Sequence, residues 1–277
     1  MGGEDLSTSP LVLADGRLIW PGPGHTLFGL SATGHQEWKL PASADLVTPV
    51  LDPLNGTLVV ADQAGQISGY RLPTSTGGAP SQLWTHTLAK TSLSNPSVAA
   101  DGTIYQDAGD SLFALSPSGG IKWTYRTPKT VEVSPAVADG GVVVFGSDNR
   151  LEYGINPNGK LRWRVPIGNL TYSSPLAFAP HRVIFGNHSG QMTTLDSSTG
   201  RRISRDQGQG EIWTAAALDS RGDAYFASRT GVIFGFNASG KRLFALGTPT
   251  KFDSYPALAP DGTLLIGGDD GTLYAIR

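Results

Sequence analysis

Four side chains, Glu132, Tyr172, Trp213 and Asp253, follow one another at intervals of 40, 41 and 40 residues in this 277-residue chain. Their types would do chemistry if the spacing brings them together. Carboxylates beside aromatic rings suit a cationic ligand, through charge and cation–π attraction, or a sugar, through stacking and hydrogen bonds. Glu132 and Asp253 also have the makings of an acid and base pair for glycan cleavage, given one raised pKa and a suitable separation. Glu211 and Lys251 stand two residues upstream of Trp213 and Asp253. The same place is occupied earlier in the chain by Ser7, Leu46 and Leu93. Such diversity is also what solvated loop residues show, and the sequence leaves both readings open.

A second row, Asp62, Asp107, Asp148, Asn187, Ser228 and Asp269, falls in expected turns, where short polar side chains cap their own hairpins. His188 and Arg229, one step along, break that pattern and join the candidate ligand-binding residues, at the same end as the first row or the opposite one. More familiar motifs fail. Gly154 to Leu161 (GINPNGKL) and Gly235 to Arg242 (GFNASGKR) match G-x-x-x-x-G-K, but neither carries the Ser or Thr that binds magnesium and neither opens a helix, so both read as turns. His25, His35, His86, His181 and His188 show no paired metal spacing, and no G-x-S-x-G elbow is present. The absence of cysteine removes disulfides, thiolate metal sites and cysteine nucleophiles. A net charge of -2 with scattered Lys and Arg lacks the footprint of a nucleic-acid binder. No apolar run is long enough to cross a membrane as a helix.

The elements that must position these residues recur. Pro10, Pro49, Pro96, Pro135, Pro175, Ala216 and Pro256 anchor seven similar segments, at intervals of 39, 47, 39, 40, 41 and 40 residues. Each anchor opens a short apolar strand followed by a tight turn, often Asp-Gly, as at Asp15-Gly16, Asp101-Gly102 and Asp261-Gly262. A second strand rich in β-branched and aromatic residues follows, then a third such as LFGLSA, ISGYRL or VIFGFN. In several copies a glycine with an aromatic residue four positions on opens a fourth, as with Gly34 and Trp38, Gly119 and Trp123, Gly159 and Trp163, and Gly240 and Phe244. No segment sustains a helical apolar period. Seven four-stranded units of this size predict an all-β, seven-bladed β-propeller of antiparallel blades, because a small sheet with two apolar faces must stack on its neighbours. The expected blades of the single domain 1–277 cover residues 6–40, 45–88, 92–127, 131–165, 171–206, 212–246 and 252–277, the last with as few as three strands.

The stretch SPAVADGGVVVFGSDNRLEYGINPNGKLRW, Ser134 to Trp163, resembles the PQQ-like repeat in most of its Gly, Ala and Trp positions. That repeat is shared by quinoprotein dehydrogenases, outer-membrane assembly lipoproteins and bacterial extracytoplasmic sensor domains. The resemblance covers essentially the whole chain and implies the propeller fold and a place outside the cytoplasm: periplasmic, cell-surface or secreted. It does not bring the quinone with it. Dehydrogenases of this kind generally have eight blades, a calcium ion, basic groups for the quinone carboxylates and often an adjacent cysteine pair. Seven blades, no cysteine and no obvious cluster of Asp, Glu and Asn beside an arginine lead us to expect no PQQ, while calcium stays open without support in the sequence. The expected role is a non-catalytic, monomeric binding or scaffold propeller that offers an acidic and aromatic surface to a protein, peptide or glycan. A glycan lyase or hydrolase using carboxylates at the channel mouth is the alternative, and a PQQ-dependent dehydrogenase the less favoured one.

Two irregularities remain. Twelve residues separate Trp84, Trp123, Trp163 and Phe244 from the following anchors, and counting back twelve from Pro10 passes Met1. Two readings stay open: a longer gene product, with an export signal, anchor or preceding domain and a closing strand ahead of this chain, or a blade seven that has three strands or takes GGEDL into the gap. Blade two carries an insertion, LPTSTGGAPSQLW, whose composition marks a surface excursion.

Overall fold

The computed structural model describes residues 8–73, 78–88 and 94–277. Ser7 and Leu93 of the first row, and residues 74–77 of the insertion, lie outside the described residues. The described strands form seven antiparallel sheets in simple sequential order, six of four strands and the last of three. The fold is therefore a seven-bladed β-propeller with a three-stranded final blade. One 3-10 turn, Asp139–Gly141, interrupts blade four. The chain divides into two compact units: residues 1–134 carry blades one to three, and residues 135–277 carry blades four to seven.

Blade four shows the grammar. Its strands are Ala136–Val137, Val143–Ser147, Leu151–Ile155 and Leu161–Pro166. The Asp-Gly turns elsewhere take the backbone that only glycine adopts without strain, with φ of 84° at Gly16, 75° at Gly102 and 84° at Gly262. The aromatic residue of the fourth strand lies across the third from a residue with no room for a side chain. Trp163 faces Gly154, and a Cβ on that glycine would sit 2.2 Å from the indole. Trp38 on Gly29, Trp84 on Gly69 and Phe244 on Gly235 repeat the pair. The indole N–H then reaches the next blade, from Trp84 to the Pro117 carbonyl at 3.0 Å and from Trp163 to the Ser197 carbonyl at 2.8 Å.

Side chains from the faces of adjacent sheets interlock within each unit. Met192 of blade five packs with Ile212, Phe226 and Phe234 of blade six, and Ile233 of blade six packs with Phe252 and Leu264 of blade seven. Each such side chain contributes roughly 1.5–3 kcal/mol through burial. Stacked sheets thus supply a stiff platform, and variety is left to the loops that join them.

Candidate functional site

Loop residues in blades five and six are displayed by an in-out-in rule, of which blade seven keeps the buried first residue and the hydroxyl anchor. In blade six, Ile212 turns into the core with no exposed surface and Thr214 is fully buried with its hydroxyl donating to the Ala227 carbonyl at 3.2 Å. Trp213 between them is only half-buried. Blade five repeats the rule: Thr171 and Ser173 are buried, Ser173 Oγ accepts from the Gly186 N–H at 3.2 Å, and Tyr172 is left half-buried. In blade seven Phe252 is buried, Ser254 donates to the Gly267 carbonyl at 2.7 Å, and Asp253 is exposed. The hydroxyl two residues before each anchor ties the loop to the end of the second strand, which fixes the residue beside it.

The hairpins between second and third strands come to the same end. His188 N–H donates to the Leu170 carbonyl at 3.0 Å, Arg229 N–H to Glu211 at 2.9 Å, and Asp269 N–H to Lys251 at 3.1 Å. Asn187 Oδ1 accepts from Ser189 and Gln191, and Ser228 Oγ from Val232, so these two residues cap their hairpins as expected. Asp62 does the same for Gln66. The expectation fails for Asp148 and Asp269. The three-residue turn bonds run from Ser147 to Arg150 and from Gly268 to Gly271, which puts Asp148 and Asp269 in the register of His188 and Arg229. Asp107 departs in another way, taking the Ser94 hydroxyl and the Gln106 amide.

These two rows interleave in the second unit. Tyr172 packs edge-on against His188, with ring centroids 4.5 Å apart, and against Trp213 at 5.3 Å and 90°. His188 stacks on Trp213 at 5.5 Å. The Arg229 guanidinium lies 4.0 Å from the centre of the Trp213 ring. Arg229 also grips Asp253: its Nη2 donates to Oδ2 at 3.2 Å, and its Nε is 2.7 Å from Oδ1, an ion-pair contact whose N–H is not aligned as a hydrogen bond. Glu211 stands 3.9 Å from the same guanidinium. Lys251 lies 3.8 Å from Asp253 and 2.8 Å from Asp269. His188 Nε2 and Trp213 Nε1 are buried inside the cluster without hydrogen-bond partners.

Burial lowers the His188 pKa below its ordinary value; Glu211 and Asp148 oppose that shift and Arg229 adds to it. At neutral pH the imidazole is therefore uncharged. For Lys251 the hydrogen bond to Asp269 leads the causes that raise its pKa.

The structure brings together Tyr172, His188, Glu211, Trp213, Arg229, Lys251 and Asp253. Glu132 belongs to the first unit, half-buried between Val131 and Val133, whose side chains are fully buried. Nothing in the residue spacing signals that Arg229 would occupy the indole. A cation on the tryptophan, paired with a carboxylate, is the arrangement expected of a bound cationic ligand, and here the chain supplies that cation itself. Among the described residues no group of three or more His, Cys, Asp or Glu is placed to hold a metal ion.

The family described as outer membrane protein assembly factor BamB matches residues 76–277. The chain belongs to the BamB family. No curated protein matches it. Among solved structures it is similar to BamB from Moraxella catarrhalis, with a TM-score of 0.75 and 14% identity over 98% of this chain and 96% of that one. It is also similar to Sqt1 from Saccharomyces cerevisiae, with a TM-score of 0.81 and 16% identity over 94% of this chain and 80% of the other. At such identities the likeness speaks for the BamB-type propeller and leaves the loop residues to be read on their own terms.

Proposed function

We propose that this protein is a non-catalytic binding propeller, working outside the cytoplasm, whose loop end at blades five to seven takes a protein or peptide partner. The observation that carries the reading is the gathering of Trp213, Tyr172 and Arg229 on a locked backbone. These are the residue types that dominate the energetic centres of protein interfaces. Trp213 and Tyr172 have both flanks buried, and Arg229 is held by its contacts with Trp213 and Asp253, so little conformational freedom remains to be lost on docking. The description of the family as an outer membrane protein assembly factor supports both the partner class and the compartment.

The glycan readings draw less support. Asp253 engages Arg229 with both oxygens and is approached by Lys251, a poor arrangement for a proton-transferring carboxylate. Arg229 takes up indole surface on which a sugar would stack. The residues fit a quinone no better, since the one arginine on the tryptophan is already committed to Asp253, and no step is assigned to PQQ or calcium.

The test is a random peptide library panned on the intact chain. Selected peptides should bind the parent protein and lose affinity by about tenfold or more in the Trp213→Ala, Asp253→Ala double variant, which should still melt cooperatively and stay folded at the assay temperature. Peptides indifferent to the double variant, or a glycan array whose hits depend on Trp213 while the peptide library yields none, would overturn the reading.

A further inference from the structure

The third strands of the blades differ at one place in a way that leaves room. Their third residue is aromatic in blades one, three, four and six, where it is Phe28, Phe113, Tyr153 and Phe234. In blade six this residue packs on Met192 of the blade before. Blades two and five carry Ser68 and Thr193 instead. Ser68 is satisfied across its strand pair, its hydroxyl sharing a hydrogen bond with that of Thr85 at 2.8 Å. Thr193 is 7% exposed and lies opposite Arg205, and its hydroxyl has no hydrogen-bond partner among the described residues.

A cleft of about 210 Å³ opens at Thr193, between blades four and five. Val165 and Ile167 of blade four form one wall and Leu195 of blade five the other. Arg202 and Arg205 also line it, opposite Leu195 and Thr193 in the strand pairing and so on the same face of blade five. Arg205 donates to the Gln191 side-chain oxygen and leans over Gly168, whose added Cβ would lie 3.5 Å from its Nη2. One blade on, a Cβ at Gly208 would lie 3.0 Å from the Phe234 ring. The guanidinium therefore covers part of the space that a ring fills in the next blade. Among the described residues neither arginine has an ion-pair partner, and the Arg202 side chain has no hydrogen bond. Asp206, the carboxylate next along the strand, is paired with Arg242 at 3.3 Å.

We propose that this cleft binds a small aromatic carboxylate. The carboxylate lies on Arg202 and Arg205 and accepts from the Thr193 hydroxyl, and the ring rests against Val165, Ile167 and Leu195. Size sets the body: an apolar cavity of about 150 Å³ holds benzene, and larger ligands occupy pockets of roughly 300 Å³ upward. Charge sets the head, since the planar guanidinium fork matches a carboxylate. A phosphate dianion would cost more to bring beside Val165 and Leu195. The site shares no residue with the loop end and stands or falls without it.

Phenylacetate is the probe, titrated into the intact chain and followed by backbone amide resonances. It should saturate, with the largest shifts at Val165, Ile167, Thr193 and Leu195. Phenylacetamide, which lacks the charge, and acetate, which lacks the ring, should each bind about tenfold more weakly or worse. Thr193→Phe restores the ring that four other blades carry and should abolish saturation while the protein still melts cooperatively. Arg202→Gln changes an exposed side chain and should weaken binding by about tenfold. The Trp213→Ala, Asp253→Ala double variant should bind phenylacetate as the parent does. Absence of saturation, shifts centred elsewhere, or acetate binding as tightly as phenylacetate would overturn the proposal. Binding indifferent to Arg202→Gln would do the same, and that variant decides alone if Thr193→Phe fails to fold.

Discussion

Two positions of the same repeat behave in opposite ways. The second position of the third strand, facing the adjacent sheet, reads Leu27, Ile67, Leu112, Glu152, Met192 and Ile233 in blades one to six, all at most 2% exposed. The loop position three residues before the anchor reads Tyr172, Trp213 and Asp253 in blades five to seven, the first two displayed between two buried neighbours and Asp253 beside the buried Phe252. Packing forces near-uniformity on the first, since every copy fills the same gap between sheets. The second is anchored by its flanks and so can vary without loss of fold. Uniform positions report on stability, varied ones are free to serve the binding proposed above, and Glu152 is the exception that sharpens the rule. It puts a carboxyl where five other buried copies put an apolar chain, it has no exposed surface, and neither oxygen has a hydrogen-bond partner.

The comparison breaks most visibly in the interior. Valine at Gly154 would drive its side chain into Trp163, an indole held by packing and by its bond to Ser197. A loss of about 2–3 kcal/mol is expected, read as a lower urea midpoint with the slope unchanged. Valine at Ala275, which faces no aromatic residue in the described structure, should cost far less. Similar losses at both positions would mean that the aromatic pair is not what constrains the strand.

Glu152→Leu should act in the other direction. Burial raises the Glu152 pKa well above the ordinary carboxyl value, so the folded protein holds this proton at pH values where the unfolded chain has released it. The sign follows: stability from this group is fullest below the unfolded value of about 4.3 and falls as pH rises toward the folded one, by at most about 1.4 kcal/mol per pH unit. Leucine removes that slope and the unpaired polar group, for a gain on the order of 1–3 kcal/mol at neutral pH. Urea melts of both proteins at pH 5 and pH 8 decide it. Parallel pH dependences would show that Glu152 is not the source.

Much of this contrast was legible in the chain itself. The proline anchors and Asp-Gly turns gave seven copies, because each copy must satisfy the same packing and turn geometry. Tyr172, Trp213 and Asp253 stood out as a varied position in an otherwise regular repeat, and the structure gathers them at one end of the second unit. Glu152 was equally visible in LEYGIN set beside LFGLSA and VIFGFN, but the third strands had to be compared column by column to see it. Asp148 and Asp269 were misplaced by one residue, since Asp suits a hairpin cap and a displayed tip alike, and only the turn bonds tell them apart. The pairing of Arg229 with Trp213 and Asp253 was out of reach: it joins residues 16 and 24 positions apart on two blades, and spacing alone does not say which way a long side chain will lean.

At the loop end the effects on stability should be smaller than in the interior. Trp213→Ala removes a half-buried ring and its cation–π partner, at about 1 kcal/mol, while abolishing the peptide binding proposed above. A destabilisation as large as that of Gly154→Val would reclassify Trp213 as a core residue.

The smallest effect is the most specific. His188 titrates inside the cluster, so its midpoint, followed by the imidazole proton resonances, reports on each neighbour without disturbing the fold. Arg229 holds the value down and Glu211 holds it up, both acting on a value that burial has already lowered. Arg229→Gln should therefore move the midpoint upward and Glu211→Gln downward. Because the folded value lies below the unfolded one, His188 opposes folding only as pH falls through the unfolded value, and the first substitution should lessen that penalty while the second deepens it. Shifts in the same direction for both variants would mean that they act by loosening the burial of the ring. The aromatic and ionic parts of the site would then be one packed unit, with no separate electrostatic coupling to measure.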